Sequence, residues 1–258
     1  MLDDMNFNRC YPDASNFENI VKIKNIEDWN VEYVKLENEI GYYTADNPFV
    51  DSNHADIFAN LIALFPIQKT REAEDDDPNP FETIHIPEWL HKDLCFLIRD
   101  FFYKNYKLPI LYPMIKEWGN IYFKQRSRPK ICYRLPHIDF RCGLVSNFWF
   151  TDHSQATSGT KIYKYKGKMI DGYYDYMVDS DHKLYKEWQH LQSQGRSETW
   201  FNFSDKDCER WGFECLGMAP SCKNKLTMYR ADVSHSPYID ESVDFRWSHT
   251  FCYYQKPV

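Results

Sequence analysis

The sequence predicts an α+β protein that is mainly β, with its helices gathered toward the N-terminus. Three observations carry this. Helical apolar spacing concentrates between residues 51 and 101, whereas short runs rich in β-branched and aromatic residues, bounded by Gly, Pro, Asn and Ser, dominate from Ile121 onward. A long aromatic segment, residues 166–222, then interrupts the strands.

Residues 1–50 read as irregular structure and short strands. From Asp51 or Ser52 the run Ala55–Phe65 has helical spacing, and Pro66 ends it because proline removes a helix donor and clashes with the preceding turn. Residues 71–80, rich in Asp and Glu, form a charged loop. Pro87 suits the first turn of a second helix, on which Leu90, Leu94, Leu97, Ile98 and Phe101 make an apolar stripe directed at the core. The basic run Lys124–Lys130 reads as a solvated loop, with a phosphate-binding patch as the alternative. Strands are expected over Ile131–Phe140, up to Tyr165, over Lys225–Arg230 and over Val243–Tyr254. Within the insertion a helix is expected around Lys183–Gln194. The insertion's aromatic residues, from Tyr173 to Phe213, suit either a lid over a binding site or additional core.

The chain has 258 residues, enough for a sizeable core, and shows no repeat or low-complexity linker. A single domain, 1–258, is expected, with an N-terminal support region (1–119), a β core (120–258) and the insertion within it. Hydrophobic residues make up 43% and aromatics 17%, a folded balance. A net charge of −7 argues against general electrostatic binding of nucleic acid, although a local basic groove stays open. The eight cysteines form no C-x-x-C pair, the start is acidic, and no run approaches a membrane span, so a cytoplasmic protein with free thiols is expected. The oligomeric state is not readable.

Chemistry gathers in two places. His137-Ile138-Asp139 lies on an expected strand, where residues two apart share a face, so both side chains converge. Far downstream stands His235, bracketed by Ser234, Ser236 and Pro237, and then Arg246-Trp247-Ser248 on the last strand. Two imidazoles and a carboxylate can hold one face of a divalent metal and leave other positions open. Arg246 and Ser248, on one strand face, offer a planar fork and a hydroxyl to a carboxylate. His249 is out of phase with them, and it and His153 are the substitute ligands. His54, His85, His91, His182 and His190 read as ordinary polar residues.

With these motifs the chain resembles the iron(II)- and 2-oxoglutarate-dependent dioxygenase superfamily, prolyl-hydroxylase-like members and related bacterial and viral members in particular. The resemblance rests on the H-x-D motif, the distal His and the R-x-S. Two further tracts match: Ser158-Gly159-Thr160-Lys161-Ile162-Tyr163, with Ser158 where relatives have Gly, and Asn224–Tyr229 leading to His235. It covers residues 120–254. It implies a double-stranded β-helix, a jelly-roll or cupin-like fold, with support helices on one face. It further implies that His137, Asp139 and His235 hold Fe(II), and that Arg246 and Ser248 bind the far carboxylate of 2-oxoglutarate, with Tyr133 as an additional contact. O2 and 2-oxoglutarate would be consumed, giving succinate and the oxidation of an unactivated C–H bond in a small-molecule or peptidyl substrate, an amino-acid or peptidyl side chain by preference. Asp139 at the ligand position argues against a halogenase. The competing readings are a cupin-type metal-dependent hydrolase or isomerase, which has no use for Arg246 and Ser248, and a non-catalytic jelly-roll module.

Overall fold

The computed structural model describes residues 23–46, 48–63, 68–69, 82–85, 88–106, 110–113, 120–126, 135–139, 142–150, 158–193, 204–240 and 245–255. It opens with a hairpin, β1 (Asn30–Glu37) and β2 (Ile40–Asp46). Helix α1 (Ser52–Ala63), the short strands β3 (Gln68–Lys69) and β4 (Glu82–His85), and helix α2 (Glu88–Tyr106) follow. Then come β5 (Ile110–Pro113), β6 (Asn120–Arg126), β7 (Cys142–Trp149) and β8 (Gly159–Tyr165). The insertion contributes the hairpin β9 (Met169–Ile170) and β10 (Tyr173–Tyr174), with α3 (Asp175–Val178), α4 (Tyr185–Ser193) and α5 (Asp205–Arg210). The chain closes with β11 (Phe213–Pro220), β12 (Lys225–Arg230), β13 (Ser234–Tyr238) and β14 (Phe245–Gln255).

Two sheets dominate. The larger runs β1-β2-β12-β7-β14-β6-β4-β3, with β5 also on β14, and the smaller runs β11-β8-β13. Alternation along the large sheet splits its side chains into two sets. Leu144, Phe148, Leu226, Met228, Phe251 and Tyr253 pack against Phe49, Ala55 and Phe58 beside α1 and against Cys95, Ile98 and Phe102 of α2. Val145, Tyr229 and Cys252 turn the other way and meet Ile162 and Ala219 of the small sheet. The helices therefore cover one face and the small sheet the other, and the space between the sheets is the barrel interior. Fully burying each such Phe or Leu stabilises the fold by about 1.5–3 kcal/mol.

The expected helices and the strands ending at Tyr165 and spanning Lys225–Arg230 are present. Four expectations change. The α2 stripe holds in part: Ile98 is buried and Phe101 packs against the core as expected, but Leu97 is 36% exposed and the buried row is completed by Cys95 and Phe102. Residues 30–46, expected to hold irregular structure and short strands, form one long hairpin that pairs through β2 with β12. Lys124–Arg126 belong to β6, paired with β14, and are not loop. The strand over 131–140 is reduced, among the described residues, to one bridge between His137 and His235. Pro136 lacks the N–H that a longer ladder would need beside it. The charged loop 71–80 lies outside the described residues.

The described part of the insertion adds a buried aromatic cluster, with Met169, Ile170, Tyr173 and Val178 left exposed, and its end, β11, is a strand of the small sheet. Tyr174, Tyr176, Trp211 and Phe213 are 0–1% exposed and pack with Leu135, Tyr163, Leu184 and Cys208. On β8, Ile162 faces the barrel interior and Tyr163 faces this aromatic cluster, so the insertion covers the outer face of the small sheet. Among the described residues no helix is long and apolar enough to cross a membrane, and none of the six described cysteines forms a disulfide.

Candidate metal centre

The two histidines are cross-strand partners. The His137 N–H donates to the His235 carbonyl at 3.0 Å, and the His235 N–H donates to the His137 carbonyl at 2.9 Å. Directly opposed residues place their side chains on the same face, and the imidazole centroids stand 4.6 Å apart. Two residues on, the Asp139 N–H donates to the Ala231 carbonyl at 3.0 Å, which anchors the motif at its far end as well. Ile138, pointing the other way, packs into the aromatic cluster. The motif is thus held on both sides by backbone and by packing.

His235 Nε2 lies 3.2 Å from Asp139 Oδ2, and His137 Nε2 lies 3.8 Å from Asp139 Oδ1. One ligand atom from each of the three residues falls within 4.8 Å of the others. Around an octahedral ion with bonds of about 2.1 Å, adjacent ligand atoms stand roughly 3 Å apart, so small side-chain rotations close this set on a cation. His235 is 4% exposed, and its Nδ1 is 2.9 Å from the Val233 carbonyl. That contact selects the tautomer with hydrogen on Nδ1 and leaves the Nε2 lone pair for a metal. The Tyr229 ring, 4.7 Å from the imidazole, supports it from the large sheet. The donor set of two imidazoles and one carboxylate fits a first-row divalent ion that keeps open positions.

Two further groups border the ligands. The Tyr174 phenol, hydrogen-bonded to Ser234 Oγ at 2.9 Å, is pushed well above its ordinary pKa by burial and by the Asp139 charge. The Cys252 thiol is likewise pushed well up, by its hydrogen bond with Cys142 and by burial, so it stays protonated.

Of the residues expected to bind an acid, Ser248 is 1% exposed and sits in register with Trp149. Arg246 occupies the ladder position opposite Gln125, two residues before it, and only its main chain is described. By strand alternation Ser248 shares the inter-sheet face with Thr250, whose hydroxyl donates to Asn147 Oδ1 at 2.6 Å. Trp149 Nε1 donates to Thr227 Oγ1 at 2.8 Å on the same wall. Tyr133 and His153 lie outside the described residues. His249 is fully buried on the helix side, against the rings of Phe58 and Phe251, far from a ligand role. Sequence reasoning missed the Val233 carbonyl, Tyr229 and Tyr174, since none has a motif, and it also missed His182, which stands 3.9 Å from buried Asp175.

No protein-family model and no curated protein matches the chain. Solved structures do. The epimerase SnoN, in complex with Fe3+, 2-oxoglutarate and nogalamycin RO, superposes with a TM-score of 0.50 at 13% identity, over 84% of this chain and 79% of that one. The chain has the double-stranded β-helix fold of the 2-oxoglutarate-dependent oxygenases. A prolyl-4-hydroxylase from Pseudomonas putida matches with a TM-score of 0.45 at 10% identity, over 85% of this chain and 95% of that one. HygX from Streptomyces hygroscopicus, with nickel and 2-oxoglutarate bound, gives 0.47 at 6% identity, with 84% of each chain covered.

Proposed function

We propose that the protein is an iron(II)- and 2-oxoglutarate-dependent dioxygenase, in which His137, Asp139 and His235 hold the metal. The observation that carries this reading is the triad itself: three ligand atoms within 4.8 Å, on two segments of an oxygenase-type barrel, joined by a backbone bridge. Iron(II) bound there, with 2-oxoglutarate and dioxygen, supplies oxidative decarboxylation to succinate coupled to oxidation of an unactivated C–H bond. Arg246 and Ser248 are the groups assigned to the far carboxylate of 2-oxoglutarate, as a bidentate fork and a hydroxyl donor. Along the same wall Trp149 bonds Thr227 and Thr250 bonds Asn147, two pairs that preset its polar groups. Hydroxylation of an amino-acid or peptidyl side chain is the preferred outcome, by analogy with the prolyl hydroxylases that the sequence resembles.

The test is an anaerobic titration with iron(II) and 2-oxoglutarate, followed by admission of oxygen. A weak visible charge-transfer band on addition of 2-oxoglutarate, then formation of succinate, is expected. Metal uptake with neither band nor succinate would instead support a Lewis-acid hydrolase or isomerase.

A further inference from the structure

The aromatic cluster on the outer face of the small sheet holds one group unlike the rest. The Tyr165 hydroxyl donates a hydrogen bond to Asp175 Oδ1. The same carboxylate accepts from the backbone N–H groups of Lys168 and Tyr176, both at 2.9 Å, and His182 Nε2 is 3.9 Å away. Burial works to raise the Asp175 carboxyl, and its bonds from Tyr165 and from the Lys168 and Tyr176 backbones, with His182 nearby, outweigh it and hold it below the usual range. The phenol therefore faces an ionised carboxylate. Space for its ring is set by two glycines. A Cβ on Gly167 would run into the phenol, and one on Gly212, whose φ is +90°, would lie 3.2 Å from the ring.

The ring is 4.7 Å from Tyr174, whose own hydroxyl bonds Ser234, the neighbour of His235 in the chain. A tyrosine gives up an electron readily only if its proton leaves with it, so the hydrogen-bond acceptor decides which ring is oxidised. Tyr176, stacked on Tyr174 at 5.4 Å, is fully buried and its hydroxyl has no hydrogen-bond partner among the described residues, so it is a poor donor of electrons. Among the described residues Tyr174 has only the Ser234 hydroxyl as acceptor, a very weak base. Tyr165 has a carboxylate.

We propose that Tyr165 and Asp175 form a one-electron redox site, connected through Tyr174 to the metal centre, where the protein discharges oxidising equivalents when no other substrate is bound. One electron leaves the Tyr165 ring and reaches the metal centre by way of Tyr174, lowering the metal's oxidation state by one. The phenolic O–H bond breaks and its proton passes to Asp175 Oδ1. A neutral tyrosyl radical and a neutral carboxylic acid remain. The oxidant is the centre after it has reacted with dioxygen and 2-oxoglutarate, so the inference rests on the function proposed above.

The experiment loads the protein with iron(II) and 2-oxoglutarate, mixes it with oxygen in the absence of any other substrate, and freezes samples for electron paramagnetic resonance while succinate is measured in parallel. A tyrosyl signal is expected in the wild type and in protein carrying ring-deuterated tyrosine, where it narrows. Tyr165→Phe should abolish it, and Asp175→Asn should cut its yield by about tenfold, because a neutral amide is a far weaker proton acceptor. Succinate without a tyrosyl signal, or an unchanged signal in Tyr165→Phe, overturns the proposal while leaving the function standing. If no succinate forms, the functional reading fails, and apoprotein flash-oxidised by a ruthenium tris-bipyridine complex decides the redox site independently. A long-lived tyrosyl radical that Tyr165→Phe lacks supports it, and equal lifetimes in the two proteins overturn it.

Discussion

Two carboxylates stand on opposite faces of the small sheet, and their surroundings differ in kind. Asp175 is wrapped by donors: a phenol, two backbone N–H groups and a nearby imidazole. Asp139 faces two imidazoles whose Nε2 atoms approach it, one of them with its tautomer fixed so that Nε2 carries a lone pair. A lone pair directed at a carboxylate gains nothing unless a proton or a cation lies between them. The comparison teaches that donors gathered around a carboxylate hold it ionised in place, as at Asp175, whereas imidazole nitrogens brought beside one, as at Asp139, can join it in holding a ligand.

Truncating each carboxylate should therefore give opposite results. Asp139→Ala, like His235→Ala, is expected to lose iron affinity by more than about a hundredfold and to abolish 2-oxoglutarate turnover, beyond the effect of losing a mere supporting contact. The circular-dichroism spectrum should stay native. Full turnover in either variant would sink the ligand assignment.

A third carboxylate, that of 2-oxoglutarate, sharpens the contrast, since the protein must supply its donors. Arg246→Ala should cost on the order of 2–5 kcal/mol of co-substrate binding, well over tenfold in Kd, and leave iron affinity unchanged without 2-oxoglutarate. Calorimetry showing equal 2-oxoglutarate affinity would move that role to another basic residue.

Asp175→Ala should act on stability, because it strands the Lys168 and Tyr176 N–H groups and the Tyr165 hydroxyl, at about 1–3 kcal/mol for a buried donor. Its pH dependence has a definite sign. The Asp175 carboxyl is held below its ordinary value, so its contribution is complete above the unfolded-state pKa and is lost as pH falls through the folded one. The difference in melting temperature between wild type and variant should accordingly shrink on acidification below the ordinary carboxylate range. A constant difference down to the lowest pH at which both fold would mean that the carboxylate charge plays no part. The smallest effect is expected from Ser248→Ala, a single hydroxyl worth about 0.5–1.5 kcal/mol, or a few-fold in 2-oxoglutarate affinity.

How much of this was legible in the sequence depends on the range of the interaction that decides it. The helix at 52–63 and the strands at 159–165 and 225–230 follow local periodicity, and the sequence places them within a residue or two. The hairpin at 30–46 was not legible because β1 is an edge strand, with Glu32, Lys35 and Glu37 interrupting its apolar positions. The helix stripe was legible at Ile98 and Phe101, which join the core, but not at Cys95 and Phe102, and Leu97 lies outside it, because apolar spacing alone leaves the edges of the buried face open. At the site, His137, Asp139 and His235 were legible as ligand types in order. Their mutual distances depend on a bridge between segments far apart in the chain. Asp175 was invisible for the opposite reason: its partners are close in sequence, but the loop bringing them together depends on Gly167 and Gly212 fitting around one ring.

The bridge between His137 and His235 also bears on how the molecule comes apart. An ion held by both residues would be a cross-link between segments separated by much of the core, and closing so long a loop removes conformational freedom chiefly from the unfolded chain. Its grip would be felt first at the backbone: the His137, Asp139 and His235 amides, which share the bridge and its anchor, should exchange hydrogen more slowly as metal concentration rises, in step with the binding free energy. Metal supply would then set the lifetime of the folded barrel as well as its chemistry.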